Sequence, residues 1–297
     1  MNRANIAKLL EPGIRKVLFE SYGALNQKFS QVFHVLSSDK AQEEDISMSG
    51  IGLLDEAGEG EPTNYEDPSI GYPVSYVHKK FKKGIKITEE AFEDEKYNQM
   101  NKQAKNLGVA ANRTVEVKAA SILNGAFGVT VATGGDGKAL CASDHPRLDG
   151  GAAQSNTSTM DLAEDAIKTA KLAMRATLDD KGQKIVVMPS AIIVPAALQE
   201  TAQILINSKG RTGTAYTNEI NVNENTLEII DWDYLTSDTA WFMIDKAIHE
   251  LNFFWRKNLT LQKDTSVDTD EYLWKVKMRF SVGFSNWRGF WGSTGTN

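Results

Sequence analysis

The sequence predicts an α+β fold built from elements too long to serve one compact globule. Three observations carry this. Ile46 to Ile87 reads as a β-hairpin with an acidic tip, Thr88 to Asn124 as one long amphipathic helix, and the C-terminal segment as two runs of alternating apolar and polar residues. Neither the hairpin nor the helix can bury its apolar face inside a small globule alone. Both suit a chain that reaches out and grips its neighbours.

Taken in order, residues 1–45 read as an arm. Pro12-Gly13 breaks a helical start, and Ile14, Val17, Leu18 and Tyr22 mark a second short helix ending near Gly23. Val32 to Leu36 is a strand or an extended segment. The hairpin's first arm, Ile46 to Leu54, carries Ile46, Met48, Ile51 and Leu53. Its second arm alternates Tyr72, Val74 and Tyr76 with Pro73, Ser75 and Val77, the period of a strand with one covered face. The apolar phase then slips to Phe81, Ile85 and Ile87, which predicts a bulge near Lys79–Gly84. Between the arms, Asp55, Glu56, Glu59, Glu61, Glu66 and Asp67 supply six carboxylates with no Lys or Arg among them.

For the helix, Thr88 is the expected N-cap, and Glu89, Glu90, Glu93, Asp94 and Glu95 crowd the end where the dipole favours negative charge. Phe92, Met100, Ala104, Leu107, Ala111, Val115, Ala119 and Ile122 form one apolar face. Unbroken, it would be about 50 Å long at about 1.5 Å per residue, with Gly108 as the expected kink. Val129–Ala132 and Lys138–Ala142 flank an Asp136-Gly137 turn and read as a hairpin. Ser158 to Asp161 fits a capping box opening a helix to about Leu178. Ile185–Met188 and Ala191–Val194 read as buried strand, Ala196–Asn207 as helix, and Leu227–Asp231 and Trp241–Ile244 as short strands. Leu251 to Leu261 and Tyr272 to Phe284 predict a long antiparallel pair.

Composition narrows the class. The chain has 297 residues, a formal net charge of −6 with both signs interspersed, and one cysteine, Cys141. No apolar run approaches the roughly 20 residues of a membrane span, and the N-terminus lacks a signal-peptide layout. A soluble chain from a reducing compartment is expected. A dedicated nucleic-acid binder would carry a basic stripe and a high pI.

Catalytic motifs are weak. Of the histidines His34, His78, His145 and His249, only His145 lies near a cysteine, with Asp144 between. A nucleophile or metal site at Cys141 and His145 needs partners that do not sit nearby. A buried thiol on a hairpin strand followed by an Asp-His-Pro turn is favoured. Gly134 to Lys138 lacks the Ser or Thr and the following helix of a phosphate loop. The acidic tip lacks the spaced ladder of a calcium loop. No cofactor or metal is expected.

The order of elements resembles the major capsid proteins of tailed phages, the Hong Kong 97-type fold. Gly137 to Pro146, ending in His-Pro, resembles the stretch after the spine helix of these proteins. Met188 to Leu198 followed by Thr201 to Leu205 resembles their central strand-to-helix step, and Leu10-Glu-Pro-Gly-Ile-Arg15 is similar to the Mu-like major head subunit. The resemblance implies an N-terminal arm at 1–45, an extended loop at 46–87, a peripheral domain with a spine helix at 88–184, an axial domain at 185–245, and C-terminal strands completing the peripheral domain at 246–297. It implies pentamers and hexamers of an icosahedral head enclosing double-stranded DNA, assembled in the host cytoplasm through a procapsid that matures. Scaffolding protein or protease, portal and decoration proteins are the implied partners. Relatives with a scaffolding region of about a hundred residues ahead of the arm differ from this chain, so a separate scaffold or prior cleavage is expected.

Expected inter-subunit contacts are Glu59, Glu61, Glu66, Asp67, Tyr72, Tyr76, Lys209 and Arg211. Lys209–Tyr216 is the candidate loop at the five- and six-fold axes. Some members of the fold crosslink a loop lysine to a neighbour's asparagine. The tip here has no lysine, so no covalent crosslink is expected. An encapsulin-like compartment shell shares most of these features, and a soluble α+β enzyme using Cys141 and His145 is the remaining rival.

Overall fold

The computed structural model describes residues 3–67, 69–88, 90, 97–210, 220–266 and 271–296. A four-stranded sheet has the order β1 (His34–Ser37), β9 (Leu251–Ser266), β10 (Glu271–Phe284) and β4 (Lys79–Thr88). β9 and β10 form the antiparallel pair that their alternation predicts, and β1 lies parallel on β9. Val276, Met278 and Phe280 point inward from β10 against Leu107, Ala111 and Val115 of the helix α3 (Tyr97–Asn124). Lys275, Lys277 and Arg279 alternate with them and fall on the other face.

The long helix runs through Gly108 as part of one unbroken element. The expected N-cap Thr88 ends β4, and the acidic residues Glu93 to Glu95 lie outside the described residues. Gly108 has a packing role. A Cβ there would lie 3.1 Å from Ser21 Cβ and 3.3 Å from the Leu18 carbonyl carbon, so the glycine lets α1 (Arg3–Gly23) approach its backbone. α1 also corrects the expected break at Pro12-Gly13, because it is one helix through both residues. Burial of Ile14 and Leu18 against α3 opposes the local cost of a helical proline, about 3 kcal/mol.

The phase slip after Val77 has a different cause from the expected bulge. β2 (Gln42–Met48) pairs with β3 (Ile70–Val77) in its own two-stranded sheet, whereas β4 pairs with β10. The β4 register is continuous from Lys79↔Phe280 to Thr88↔Glu271. The chain therefore changes sheets at His78, and the covered face changes with it. The first arm of the hairpin is Gln42–Met48 rather than Ile46–Leu54; Ile51 to Leu54 form no strand and are largely exposed.

A five-stranded sheet follows the order β5 (Thr157–Ser158), β11 (Phe290–Ser293), β8 (Trp241–Ile244), β6 (Ala191–Val194) and β7 (Glu228–Asp231). Every residue of β6, β8 and β11 is buried, so both sheet faces are covered. One face packs Ile192, Val194, Trp241, Met243 and Trp291 against α4 (Glu164–Ala176) and α5 (Gln199–Asn207). The other sets Ile193, Phe242 and Phe290 against the C-terminal half of α3.

Several local expectations change here. Ser158 belongs to β5 and α4 begins after Ala163, so the capping box does not open the helix. Ile185–Met188 is not a strand, with Val186 at φ 59. Val129–Ala132 and Lys138–Ala142 form no ladder, although the turn exists, with Gly137 at φ 77 and Gly134 N donating to Lys138 O. The sheet draws on 157–158 and 290–293 as well as 191–244, so it crosses the expected boundaries at 184/185 and 245/246. A short C-terminal strand pairing far back in sequence leaves no local signature.

Candidate inter-subunit site

The hairpin is fastened at its base and largely exposed beyond it. Tyr76 is buried, its hydroxyl 2.7 Å from Ser285 Oγ, its ring 4.9 Å from that of Phe254. Asn252 Nδ2 donates to the same hydroxyl at 3.4 Å, and Ser285 donates to Asp45. Burial pushes the Tyr76 hydroxyl up to about 12. Tyr76, an expected inter-subunit contact, is engaged within its own chain, where the side chain holds β3 onto β9 and the residue after β10. Next to it, His78 is buried with Nε2 3.0 Å from Ser38 Oγ and Nδ1 3.0 Å from Ser281 Oγ. Burial lowers its pKa. These residues form the root of the loop. Tyr72 is half-buried beside Gly135, where an added Cβ would meet Tyr72 Cβ at 2.6 Å.

Beyond the root the loop buries almost nothing. Met48, Leu53, Leu54, Tyr65 and Ile70 are exposed, Leu54 at 96% and Tyr65 at 90%. Glu59, Glu61 and Asp67 are exposed with them. Glu61 accepts from Gly58 N at 2.9 Å, shaping the turn. Glu66 differs from the other three. It accepts from Gly52 N at 2.8 Å and ion-pairs with Lys181 of the same chain, and that hydrogen bond first, then Gly52, lower its pKa. It holds the loop to its own subunit. A monomer gains nothing from exposing so many large apolar side chains on a two-stranded ribbon, and such surfaces mark interaction sites.

Lys209 is exposed at the foot of a loop whose base is closed by a bridge between Gly210 and Ile220. Asn221 Nδ2 pins that base by donating to Leu205 O and Ser208 O, both at 2.9 Å. Arg211 to Tyr216 lie outside the described residues.

The Cys141–His145 cluster is structural. Cys141 is buried, its thiol pushed well above its ordinary value by burial, and its sulfur lies where a Cβ on Gly292 would stand 2.6 Å away. His145 is fully buried, its Nδ1 2.7 Å from Asp136 Oδ2 and Nε2 3.2 Å from Asn156 Oδ1, with the ring stacked on Trp287. Both ring nitrogens are engaged, and neither is offered to the thiol as a base. Among the described residues no group of three or more His, Cys, Asp or Glu could hold a metal ion. No described helix is long and apolar enough to cross a membrane.

Sequence periodicity missed Glu116, which is 2% exposed on α3. It accepts from Trp232 Nε1 at 2.8 Å and from Phe29 N at 3.4 Å, joining the arm, the spine helix and the residue after β7. Burial raises its pKa. The available signal was a second stripe at spacing four, Gly108, Asn112, Glu116 and Ala120. Asn112 on that stripe donates to Tyr22 O at 2.9 Å.

A rooted, outward β-ribbon, a long helix under a sheet, and a second sheet closed by the C-terminus are the parts of the Hong Kong 97-type capsid fold. The solved structures agree. The procapsid of bacteriophage JBD30 matches with a TM-score of 0.56 at 15% identity, covering 100% of this chain and 77% of that one. The capsid of cyanophage P-SCSP1u matches at 0.61 and 10% identity over 91% and 88%. A virus-like particle from Pyrococcus furiosus matches at 0.58 and 10% identity over 95% and 98%. The model of the phage capsid protein family matches residues 71–292, and the chain belongs to that family. A comparison with curated protein sequences finds no match.

Proposed function

We propose that this chain self-assembles into pentamers and hexamers of a phage head, using the hairpin at 42–77 to hold the neighbouring subunit. The observation that carries the reading is the ribbon itself, rooted by Tyr76 and His78 and exposing apolar and acidic residues that its own subunit does not cover. A ribbon laid across a neighbour is a heterologous contact, which closes into rings when the rotation permits. Many modest contacts of this kind sum to a durable shell.

Its role is structural rather than catalytic, and the enclosed cargo is double-stranded DNA held without sequence recognition. Assembly takes place in the host cytoplasm, with a separate scaffolding protein or protease and a portal. Decoration proteins join the mature shell, as on the JBD30 capsid, which is seen with minor capsid protein trimers. Glu59, Glu61, Asp67, Lys209 and Arg211 contact neighbouring subunits, whereas Glu66 sets the loop's angle through Lys181.

Electron microscopy of particles from the native source tests this. Closed heads filled with DNA are expected, and a chain that stays monomeric would sink the reading. The likeness to the Pyrococcus furiosus virus-like particle favours a second reading, a compartment shell around protein cargo; nuclease-resistant DNA inside the particles rejects it.

A further inference from the structure

The corner between β8 and β9 holds two histidines that the shell reading does not use. His249 is buried just before β9 begins, and His34 is the exposed first residue of β1. Their rings stack with centroids 4.2 Å apart and planes 20° from parallel. Backbone partners fix where the protons sit. A carbonyl oxygen only accepts, so His34 Nε2 carries a hydrogen and donates to His249 O at 2.9 Å. A peptide N–H only donates, so Nδ1 of His249 is bare and accepts from Leu251 N at 3.2 Å. His249 is therefore neutral, with its hydrogen on Nε2.

A proton added to Nδ1 of His249 would displace the Leu251 N–H at the start of β9. It would also place a cation in a buried site, face to face with a second basic ring. Burial first, then His34, push the pKa of His249 down from 6.5 to about 4, with Asp245 opposing and Lys246 adding to the lowering. The charged groups around the corner are committed elsewhere. Asp245 accepts from Met188 N at 2.8 Å and from Ala247 N at 3.0 Å, and Lys246 pairs with Glu228 at 2.7 Å. Arg288, from the turn beside the corner, pairs with Asp180 at 2.9 Å. Burial and then Asp45 raise the pKa of Glu250, so this neighbour offers little negative charge in acid.

Of the two sides of this stack, the corner has no room to yield. Gly289, at φ 81, presses its backbone on it, and a Cβ there would lie 2.7 Å from His249 N. His249 N donates to Asp245 O at 3.0 Å, and Asp245 N to Gly289 O at 2.9 Å. β1 is the weaker side. It is an edge strand of four exposed residues, paired on one side only, with Asn252 to Trp255 of β9. We propose that the His34–His249 stack is an acid-operated latch, which holds β1 on the edge of β9 at neutral pH and releases it on acidification. Phe33 before the strand and Ser38 after it are buried, so the segment that lifts is 34–37 and the edge it uncovers is Asn252 to Trp255. The latch belongs to the single subunit and operates whether or not the shell reading holds.

Released, His249 returns to its ordinary 6.5, so opening takes up a proton between that value and about 4. The latch is at full strength above 6.5, and the opening constant rises by up to about tenfold for each pH unit below it. Amide hydrogen exchange of the unassembled subunit, followed by NMR, measures this, with each rate referred to the intrinsic rate at the same pH. Protection of Leu251 and of His34 to Ser38 should fall about thirtyfold from pH 6.5 to 4.5, while amides of α3 from Ala111 to Leu123 keep theirs. His249→Phe keeps a buried ring that takes no proton, and should cut the fall over His34 to Ser38 to less than about threefold. His34→Phe, at an exposed position, removes the facing basic ring and should also shrink the fall. Constant protection in the wild type overturns the proposal, as does a fall in either folded variant equal to that of the wild type. Loss of α3 protection in step with β1 would mark general acid unfolding and overturn it too. If His249→Phe does not fold, the wild type and His34→Phe decide the matter by the same criteria.

Discussion

Gly108→Ala separates two opposed effects whose signs are both known. In an exposed helix the change should stabilise by about 1 kcal/mol, because alanine is the better helix former. At this position an added Cβ meets the Leu18 carbonyl oxygen closer than 3.0 Å, with Ser21 Cβ at 3.1 Å and the Leu18 carbonyl carbon at 3.3 Å. The obstacle is mainly backbone, so no side chain can swing aside. α1 must move by roughly 1 Å, which loosens Leu18, buried completely against α3, together with the Asn112–Tyr22 bond one turn on. Overpacking of this kind costs about 1–3 kcal/mol, and a backbone obstacle places the cost at the upper end. The net expectation is a loss of about 2 kcal/mol. Urea denaturation of the unassembled subunit, followed by far-UV circular dichroism, measures it. A gain near the helix-propensity value would refute the reasoning and mean that α1 does not sit against Gly108.

Glu116→Ala leaves the buried Trp232 and Phe29 donors without an acceptor and should cost about 3 kcal/mol in the same denaturation assay. The folded pKa of Glu116 is raised by burial, so its contribution is full below the unfolded pKa and declines as pH climbs through the folded value. Glu116→Gln should flatten that decline, and an unchanged pH profile would count against it. Tyr76→Phe removes the hydroxyl that meets Ser285 and Asn252 and should cost about 1 kcal/mol, with proteolysis of the loop faster than in wild type. Cys141 should resist a thiol reagent in the folded chain and react on unfolding; labelling of native protein at the rate of a free thiol would contradict its burial. Denaturing electrophoresis of mature particles should show monomers, and a ladder of multimers would reveal a crosslink that the lysine-free tip does not predict.

Much of the fold was legible wherever one periodicity ran long enough. The alternation from Tyr72 to Val77 and from Tyr272 to Phe284, and the apolar face from Met100 to Ile122, each became the expected element. The strand-to-helix step at Ala191 to Asn207 also formed. Local punctuation misled where tertiary contact outweighed it. Pro12-Gly13 did not end α1, Gly108 did not interrupt α3, and Ser158 joined a sheet instead of capping a helix. At the loop, the exposed carboxylates were legible from composition alone, because no basic residue between Asp55 and Asp67 gives them a partner nearby in sequence. The burial of Tyr76 was not, since its partners Ser285 and Asn252 lie far away in the chain.

Sequence alone determined the class of architecture, because period two and period three-to-four patterns report which face of an element must be covered, and here they report faces too long for one globule to cover. Tertiary structure decided what covers them. It turned a slip in the apolar phase at His78 into a change of sheet and a helix glycine into a docking point for the arm. It brought the C-terminal β11 into the sheet of β6 and β8. It also aligned lysines from three strands in register, so that charges scattered from Lys80 to Arg279 became one cationic face. The physical reason is the same in each case: contacts between distant residues carry no local pattern, and only the packed chain sets which of them meet.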